Sequence, residues 1–253
     1  MTSMTSNLDL EGKRILVTGS SRGIGRTTAL MLGSRGALVI VHARSASEHT
    51  TSLLDELGDR GRLALGDLSL PDGAGDVWTS AVAAFGGIDV VINNAGAWLP
   101  SAVDSDSDWK EGWAANLALN LTAPAELCQR AIKHFTTRKG DGIIINVTSR
   151  SAHRGDDAEH LAYGAAKGGL QALTKGIARG FGRDGILAYA VAPGWVATDL
   201  VGDAVTVDML DLLPLGEVIP AREVAEMIAF LATGKARHTT GATIDITGAD
   251  YVR

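Results

Sequence analysis

The sequence predicts an α/β fold in which one parallel β-sheet is covered by helices on both faces. Two observations lead to this prediction. Short β-rich runs alternate with longer helix-compatible segments along the chain, and this alternation is typical of βαβ units with right-handed crossovers. Several short runs are apolar without interruption, as expected of strands buried on both faces.

Seven strands are predicted, which together give a seven-stranded parallel sheet. In chain order they cover residues 14–18, 37–42, 62–65, 88–93, 143–147, 186–192 and 243–246. Six helices are predicted between them, at residues 24–34, 48–57, 74–85, 109–135, 158–181 and 221–232. The chain contains no internal repeat and no Pro/Gly-rich linker. Residues 1–253 are therefore expected to form one doubly wound domain, with residues 1–9 flexible.

Composition and charge exclude several classes of protein. The 253 residues are 45% hydrophobic, which is enough for one large core. The formal charge of −6 disfavours a nucleic-acid surface, which would need a basic excess. The single cysteine, Cys128, excludes an intramolecular disulfide and favours packing. No signal peptide and no apolar run of about 20 residues is present, so we expect a cytoplasmic protein that binds neither nucleic acid nor membrane.

A glycine-rich segment follows the first strand directly. It comprises Thr18, Gly19, Ser20, Ser21, Arg22, Gly23, Ile24 and Gly25. Glycine allows positive φ and lets backbone amides approach a phosphate. The N-terminus of the following helix offers unpaired N–H groups and a positive dipole end. In this position between strand and helix, the segment predicts a dinucleotide-binding turn.

A phenol and an ammonium lie four residues apart at Tyr163 and Lys167. On a helix this spacing places both side chains on one face, one turn apart. A nearby positive charge favours the phenolate and lowers the pKa of a phenol, which is otherwise about 10. The pair is a candidate for acid–base catalysis, although the same spacing also occurs on solvated helix faces.

The order of these motifs resembles the short-chain dehydrogenase/reductase family, whose glycine signature is Thr-Gly-x-x-x-Gly-x-Gly. The resemblance extends from about Leu10 to Arg253 and continues through Asn93-Asn94-Ala95-Gly96, Ser149, Tyr163-x-x-x-Lys167, Pro193-Gly194 with Thr198, and Thr240-Gly241-Ala242. It implies a Rossmann-type fold and hydride transfer between a nicotinamide cofactor and a carbonyl or secondary alcohol.

The family resemblance also implies roles for individual residues. Tyr163 would be the general acid in reduction and the base in oxidation. Lys167 would lower its pKa and bind the nicotinamide ribose, and Ser149 would hydrogen-bond the substrate oxygen. Ser149 lies one residue farther from Tyr163 than is usual in relatives, so Ser151 is a competing candidate.

A fourth catalytic residue in the family is an Asn that supports a water-mediated proton relay. Counting from Trp109 favours Asn116, whereas counting back from the fifth strand favours Asn120. We assign Asn120 and keep Asn116 as the alternative. The two lie one helical turn apart and are expected to share a face.

The end of the second strand indicates the cofactor. Ala43 stands where NAD-preferring relatives carry Asp, and Arg44 follows it. Arg44 and Arg22 are suited to clamp a 2′-phosphate, which favours NADP(H). Asp67 matches the family position that binds the adenine amino group, or alternatively caps a local turn. The cofactor residues implied are Gly19, Ser21, Arg22, Gly23, Ile24, Gly25, Arg44, Ser45, Asp67, Leu68, Asn94, Ala95, Gly96, Tyr163, Lys167, Pro193, Gly194, Val196 and Thr198.

The substrate side is less specified by sequence. Trp98 and Trp195 are predicted to line the substrate site, with core or interface packing as the alternative. Residues 199–220 correspond to the family's mobile substrate lid. The spacing of His153 and His160 falls outside that of zinc sites, and no metal is expected.

The leading functional hypothesis is an NADP(H)-dependent reductase of a 3-oxoacyl thioester or another small ketone. One alternative is an NAD-dependent alcohol or sugar dehydrogenase of the same family. Another is a catalytically inactive dinucleotide sensor or scaffold, because fold does not dictate function. The resemblance also implies a homotetramer built through helices 109–135 and 158–181.

Overall fold

The computed structural model describes residues 8–198 and 206–252. Its seven strands form one sheet in the order β3-β2-β1-β4-β5-β6-β7, and every pairing is parallel. The strands are β1 Arg14–Val17, β2 Leu38–Ala43, β3 Gly61–Leu65, β4 Val90–Asn93, β5 Gly142–Val147, β6 Ile186–Pro193 and β7 Thr243–Ile246. The predicted parallel sheet is confirmed, and each predicted strand differs from the observed bounds by at most two residues.

The strand order reverses between β1 and β4. The chain first builds outward from β1 through β2 to β3, then crosses back to place β4 on the other side of β1. The connections after β1 and β4 therefore diverge at the carboxyl edge of the sheet. Such a switch point leaves a crevice above the strand ends, and ligands of open α/β sheets bind there.

Helices cover both faces of the sheet. They are α1 Gly23–Ser34, α2 Glu48–Leu57, α3 Gly73–Phe85, α4 Asp106–Leu117, α5 Ala123–Arg138, α6 Ser151–Arg154, α7 Leu161–Phe181, α8 Val207–Leu212 and α9 Ala221–Ala232. On β1, Ile15 and Val17 pack in the core beneath α1, α2 and α9. Leu16 packs in the opposite core beneath α3, α5 and α7. Successive side chains of a strand point to opposite faces, which explains the uninterrupted apolar runs.

The predicted helix 109–135 is divided in the structure. A π-helical segment, Ala118–Thr122, lies between α4 and α5, and the N–H of Ala123 bonds to the carbonyl of Ala118. The hydrogen bond in a π-turn spans five residues instead of four, so one extra residue is inserted into the turn. The apolar periodicity of the sequence does not reveal such an insertion. Such turns are frequent at functional sites.

Three other features differ from the expected helices or fall partly outside the described residues. The helix predicted at 158–181 begins at Leu161, after an N-cap at His160. Of the predicted lid at 199–220, residues 199–205 lie outside the described residues, and the remainder contains α8 and a bridge between Ile219 and Val196. Of the terminal segment predicted to be flexible, residues 1–7 also lie outside, while Asp9 pairs with Arg35 and Lys235. None of the helices that the structure describes is long and apolar enough to cross a bilayer.

A charge cluster closes the amino edge of the sheet, opposite the crevice. Asp89 accepts bonds from the backbone N–H and the guanidinium of Arg14 at 2.7–3.0 Å and from Arg138 at 2.7 Å. Burial raises the pKa of Asp89, but the bonds from the two arginines outweigh it and hold the pKa well below its ordinary value. The cluster ties the starts of β1 and β4 to the end of α5.

Asp89→Asn should lower the free energy of unfolding at pH 7 by about 2 kcal/mol, because charged hydrogen bonds to two arginines are lost. The folded-state pKa is depressed, so this stabilisation is present above the unfolded pKa of about 3.9 and is lost as the pH falls below it. Urea unfolding at pH 7 and pH 3 measures both effects. Glu226→Gln, in an exposed pair with Arg222, is the control and should change stability by less than about 0.5 kcal/mol. An equal loss at both pH values would contradict the ionic origin.

Candidate active site

A cleft of about 560 Å³ opens at the carboxyl edge of the sheet, above the switch point. Its walls come from the glycine-rich turn, the end of β2, the turn after β3, the segment after β4, the end of β5, α7 and the loop after β6. The volume lies within the range of about 300–1,000 Å³ typical of small-molecule and cofactor sites.

The structure brings most of the sequence-predicted site residues together in this cleft. Every residue predicted to bind the cofactor lines it, and so does Ser149. Asn120, Trp98 and Trp195 are not among its lining residues. Nine further lining residues were not predicted from the sequence: His42, Ser47, His49, Gly66, Ser69, Ala97, Leu119, Val147 and Thr148. Ala43, which the cofactor prediction used as a position without a carboxylate, lines the cleft as well. Among the nine, only His42 gave a signal in the sequence, as a polar residue in an otherwise apolar strand.

The glycine-rich turn has the form of a phosphate cradle. Gly19 has φ +63°, and a Cβ built on it would lie 2.8 Å from the Cα of Ala95. A Cβ at Gly25 would collide with the carbonyl of Gly19. Helix α1 begins at Gly23, and no side chain of the described residues caps its N-terminus. The close backbone approach and the uncapped amides fit a dinucleotide pyrophosphate.

The segment after β4 fastens this turn to the sheet. The Thr18 hydroxyl accepts from the backbone N–H groups of Asn94 and Ala95, both at 3.0 Å. The Asn94 amide in turn donates to the carbonyls of Thr18 and Gly19 at 2.9 and 3.2 Å. These bonds hold the floor of the cleft across β1 and β4.

The adenosine end of the cleft is open and basic. Arg22 and Arg44 are exposed and line it, while Ala43 at the end of β2 is 6% exposed. Asp67 accepts from the backbone N–H and hydroxyl of Ser69 at 2.9 and 2.6 Å. These bonds, with the charge of Arg44, lower the pKa of Asp67. Asp67 therefore caps a local turn, as one reading of the sequence held, and also lines the cleft.

The chemical end of the cleft places Tyr163 against Ser149. Burial raises the pKa of Tyr163 to about 12; the hydrogen bond with the Ser149 hydroxyl opposes this shift, and the charge of Asp156 adds to it. Ser149 donates to the hydroxyl of Ser151 at 3.2 Å and accepts from its backbone N–H at 3.1 Å. Ser151 thus lies behind Ser149, at the start of α6, and does not line the cleft.

Lys167 lies one turn beyond Tyr163 on α7 and is 3% exposed. Its Nζ donates to the carbonyl of Val147 at 2.9 Å and lies 5.7 Å from the centroid of the Tyr163 ring. Burial lowers the pKa of Lys167 to about 8. Burial is the largest influence on the pKa of Tyr163, and the expected role of Lys167 in lowering that pKa stays a prediction.

Asn120 lies in the π-helical segment, close to Lys167. A Cβ built on Gly96 would lie 2.7 Å from the Asn120 Oδ1 and 3.2 Å from the Lys167 Nζ. Asn120 also accepts from the Ala97 N–H and donates to the Ala97 carbonyl. Asn116 accepts from Asn120 at 3.2 Å, so the two share a face as expected. The side-chain amide of Asn116 bonds the carbonyls of Leu99 and Gly112 instead.

An aromatic cluster borders the start of α7. Trp98 stacks on His160 with centroids 3.7 Å apart, and its ring meets Trp195 edge-on at 6.1 Å. The guanidinium of Arg150 lies 4.8 Å above the Trp195 ring and pairs with Asp250. The cluster joins the segment after β4, the N-cap of α7 and the loop after β6, so both tryptophans are engaged in packing.

The loop after β6 is held in place by backbone pairing. The backbone N–H of Gly194 donates to the carbonyl of Ile246 at 2.9 Å. Val196 and Ile219 form a parallel β-bridge, and the N–H of Ala197 donates to the carbonyl of Ile219 at 2.9 Å. A Cβ at Gly23 would lie 3.2 Å from a methyl carbon of Thr198. The loop therefore reaches over the pyrophosphate cradle from the opposite wall.

The remaining candidates do not point to metal or thiol chemistry. Within residues 8–198 and 206–252, no group of three or more His, Cys, Asp or Glu side chains is arranged to hold a metal ion. Cys128 is buried against Asn93 and Asn146, and burial raises its pKa to about 12. A thiol with so high a pKa is packing and not a nucleophile.

Comparison with known proteins gives consistent matches over nearly the whole chain. A family model described as "Enoyl-(Acyl carrier protein) reductase" matches residues 19–248. A 3-oxoacyl-[acyl-carrier-protein] reductase of Vibrio cholerae is 35% identical, with 97% of this chain and 100% of the relative covered. A 3beta-hydroxysteroid dehydrogenase of Eggerthella lenta is 34% identical, with 95% and 94% covered. The crystal structure of an acetoin dehydrogenase from Enterobacter cloacae superposes with a TM-score of 0.85 at 31% identity, covering 94% of this chain and 95% of that one.

Lys167→Met should raise the free energy of unfolding by roughly 1–3 kcal/mol at pH 7, because a buried ammonium is removed. The folded pKa of about 8 lies below the unfolded value of about 10.4, so the unfolded chain binds more protons between these pH values. Wild-type stability should therefore rise relative to the variant from pH 8 to about 10.4, as measured by urea unfolding. Lys175→Met, at an exposed position of the same helix, is the control. A variant less stable than wild type would contradict the predicted cost of burial.

Proposed function

The chain belongs to the short-chain dehydrogenase/reductase family and is an NAD(P)-dependent ketoreductase; from that premise we propose that it uses NADP(H), with Tyr163, Ser149, Lys167 and Asn120 as its catalytic residues. The observation that carries the proposal is that Tyr163, Ser149 and Lys167 all line the dinucleotide cleft, with the Lys167 Nζ 5.7 Å from the centroid of the Tyr163 ring.

In the proposed reaction, the bound nicotinamide supplies or accepts the hydride. The chain's own part is to hold the carbonyl oxygen and move one proton. Ser149 and Tyr163 donate hydrogen bonds to that oxygen as negative charge develops on it. Tyr163 then gives its proton to the oxygen. A phenol with a pKa of about 12 stays protonated at neutral pH and still donates readily to an alkoxide, which is a far stronger base.

The reverse reaction makes a different demand on the same residue. Oxidation needs Tyr163 as phenolate, and the raised pKa makes this form scarce at neutral pH. Lys167 supplies a positive charge one turn away that stabilises the phenolate as it forms. Asn120 is held by Ala97 and, like Lys167, approaches the space beside Gly96; in the proposal it supports a relay that returns the proton from solvent.

The cofactor preference rests on the adenosine end of the cleft. Arg22 and Arg44 line it, and Ala43 brings no carboxylate to the end of β2. Two guanidinium groups are suited to a 2′-phosphate, and an acidic residue that would repel the phosphate or bind a 2′-hydroxyl is absent from this position.

The proposed substrate is a 3-oxoacyl thioester or another small ketone, with the corresponding alcohol in the reverse direction. Support comes from relatives named for 3-oxoacyl-[acyl-carrier-protein] and 3beta-hydroxysteroid chemistry. A homotetramer and a cytoplasmic location complete the proposal. The tetramer would form through α4–α5 and α7; Gly176 and Gly180 leave open space on the exposed face of α7. An NAD-dependent alcohol or sugar dehydrogenase and an inactive sensor are the competing outcomes.

Tyr163→Phe should lower kcat/KM for ketone reduction by about 10²–10⁴-fold, because the proton donor is lost. Ser149→Ala should cost about 10²–10³-fold through loss of one hydrogen bond to the oxygen. NADPH oxidation over a panel of ketones measures both.

Tyr189→Phe is the matched control, since its hydroxyl bonds Ala236 in the core, away from the cleft, and activity should persist. Ser151→Ala tests the competing serine and should retain far more activity than Ser149→Ala. Turnover unaffected by Tyr163→Phe would refute the mechanism, and absence of turnover with every ketone would favour the sensor.

Arg44→Ala should reduce the preference for NADPH over NADH by about tenfold, since one charged contact to the 2′-phosphate is worth about 1.5–3 kcal/mol. The ratio of kcat/KM values for the two cofactors measures it. Arg62→Ala removes the same charge from an exposed position outside the cleft and should leave the ratio unchanged. Tighter binding of NADH than of NADPH by the wild-type chain would show that NAD(H) is the cofactor.

A further inference from the structure

His42 is a buried histidine that bridges two walls of the dinucleotide cleft. It lies near the end of β2, is 3% exposed and lines the cleft. Its Nδ1 accepts from the backbone N–H of Gly19 at 3.0 Å, and its Nε2 lies 3.0 Å from the carbonyl oxygen of Gly66. Each ring nitrogen thus contacts the backbone of a different cofactor-lining turn.

The two partners leave one arrangement of protons on the ring. Gly19 offers an N–H, so Nδ1 must present its lone pair. Gly66 offers a carbonyl, so Nε2 must carry the proton. The neutral Nε2–H tautomer satisfies both bonds, whereas a doubly protonated ring has no acceptor for Gly19.

The main chain of His42 is also pinned to the glycine-rich turn. Ser20 donates its backbone N–H to the His42 carbonyl at 2.9 Å, and the His42 N–H donates to the Ser20 hydroxyl at 2.9 Å. The backbone of His42 is therefore fixed relative to the glycine-rich turn. The two bonds of its ring then constrain the positions of Gly19 and Gly66.

The bridge joins turns that the sheet itself does not connect. Gly19 follows β1 and Gly66 follows β3, and these strands lie on opposite sides of β2. Gly19 is already tightly placed, at φ +63° and against Ala95. Loss of the Gly19 bond would release the first residue of the phosphate cradle, and loss of the Gly66 bond would release the turn that carries Asp67.

We propose that His42 is a positioning residue for the dinucleotide: its neutral imidazole sets the spacing of the pyrophosphate and adenosine walls, and its protonation weakens cofactor binding. The charged and titratable groups around it are Asp67 in the turn after β3, Arg22 in the glycine-rich turn, Arg44 directly after β2 and His49 on α2. The inference rests on the dinucleotide site alone and is independent of the choice between NADP(H) and NAD(H).

The direction of the pH dependence follows from burial. Burial lowers the pKa of His42, and the bond to Gly66 and the charge of Asp67 oppose this shift only in part. The imidazole is therefore neutral at pH 7 and above. The Gly19 bond is lost as the pH falls below the ordinary histidine range, so the dissociation constant for the dinucleotide should rise with acidity.

Two substitutions separate the two bonds. The Asn Oδ1 is attached to Cγ, as is the His Nδ1. His42→Asn therefore preserves an acceptor for the N–H of Gly19 and loses the bond to the carbonyl of Gly66. The amide of Gln reaches the position of Nε2, so His42→Gln preserves the bond to Gly66 and gives up Gly19. Neither side chain titrates in the pH range of histidine.

The measurement is the dissociation constant of NADPH and of NADH, by fluorescence titration at pH 8 and pH 5.5. At pH 8, His42→Gln should bind both cofactors about tenfold more weakly than wild type, as expected for loss of one hydrogen bond of up to about 1.5 kcal/mol. The affinity of His42→Asn for both cofactors should lie between those of wild type and His42→Gln. From pH 8 to pH 5.5, wild-type affinity should fall by more than that of His42→Asn, because only the wild-type side chain can gain a proton over this range.

The comparison at each pH cancels the titration of the 2′-phosphate, which is common to all three proteins. Thermal melting and circular dichroism confirm folding; if His42→Gln does not fold, the pH comparison of wild type with His42→Asn decides. Identical constants and identical pH profiles would overturn the proposal and leave His42 as a core residue. A changed preference between NADPH and NADH bears on the proposed cofactor instead, because His42 should affect both cofactors alike.

Discussion

The close approach of the glycine-rich turn to the segment after β4 is the constraint on which the rest of the structure depends. Gly19 lies against the backbone of Ala95, where a Cβ would not fit, and the Thr18 hydroxyl satisfies the two amides that face it. Because the switch point lies between the neighbouring strands β1 and β4, this contact places the glycine-rich turn directly beside the wall that leads to Gly96, Asn120 and Lys167. The cleft and the residues proposed to be catalytic share one floor.

Burial shifts the pKa values of Tyr163 and Lys167 and also lowers the stability of the fold. It raises the pKa of Tyr163 to about 12 and lowers that of Lys167 to about 8, so both groups shift toward their neutral forms. Tyr163 is protonated at neutral pH, as an unperturbed phenol with a pKa of about 10 would also be, and so can act as the proposed proton donor in reduction. The same desolvation destabilises the fold, in keeping with the trade-off between stability and activity at functional sites.

The helix preceding β5 shows why a role cannot be assigned by counting residues. Two asparagines one turn apart are equivalent in an ideal helix, and the sequence left Asn116 and Asn120 as alternatives. The π-turn at Ala118–Thr122 makes them different: Asn120 and Lys167 both approach the space beside Gly96, while Asn116 bonds the carbonyls of Leu99 and Gly112. A similar distinction separates Ser149, which lines the cleft together with Tyr163, from Ser151 behind it.

The sequence by itself determined the sheet, its parallel order of βα units and the stretches that line the cleft, because apolar periodicity, glycine placement and the Tyr-x-x-x-Lys spacing are local properties of the chain. Only the tertiary structure decided which groups lose water and which partners they meet. The raised pKa of Tyr163, the stacking of Trp98 on His160 and the bridge from His42 to Gly19 and Gly66 all arise between segments distant in sequence. Such contacts depend on packing across strands, and no local pattern encodes them.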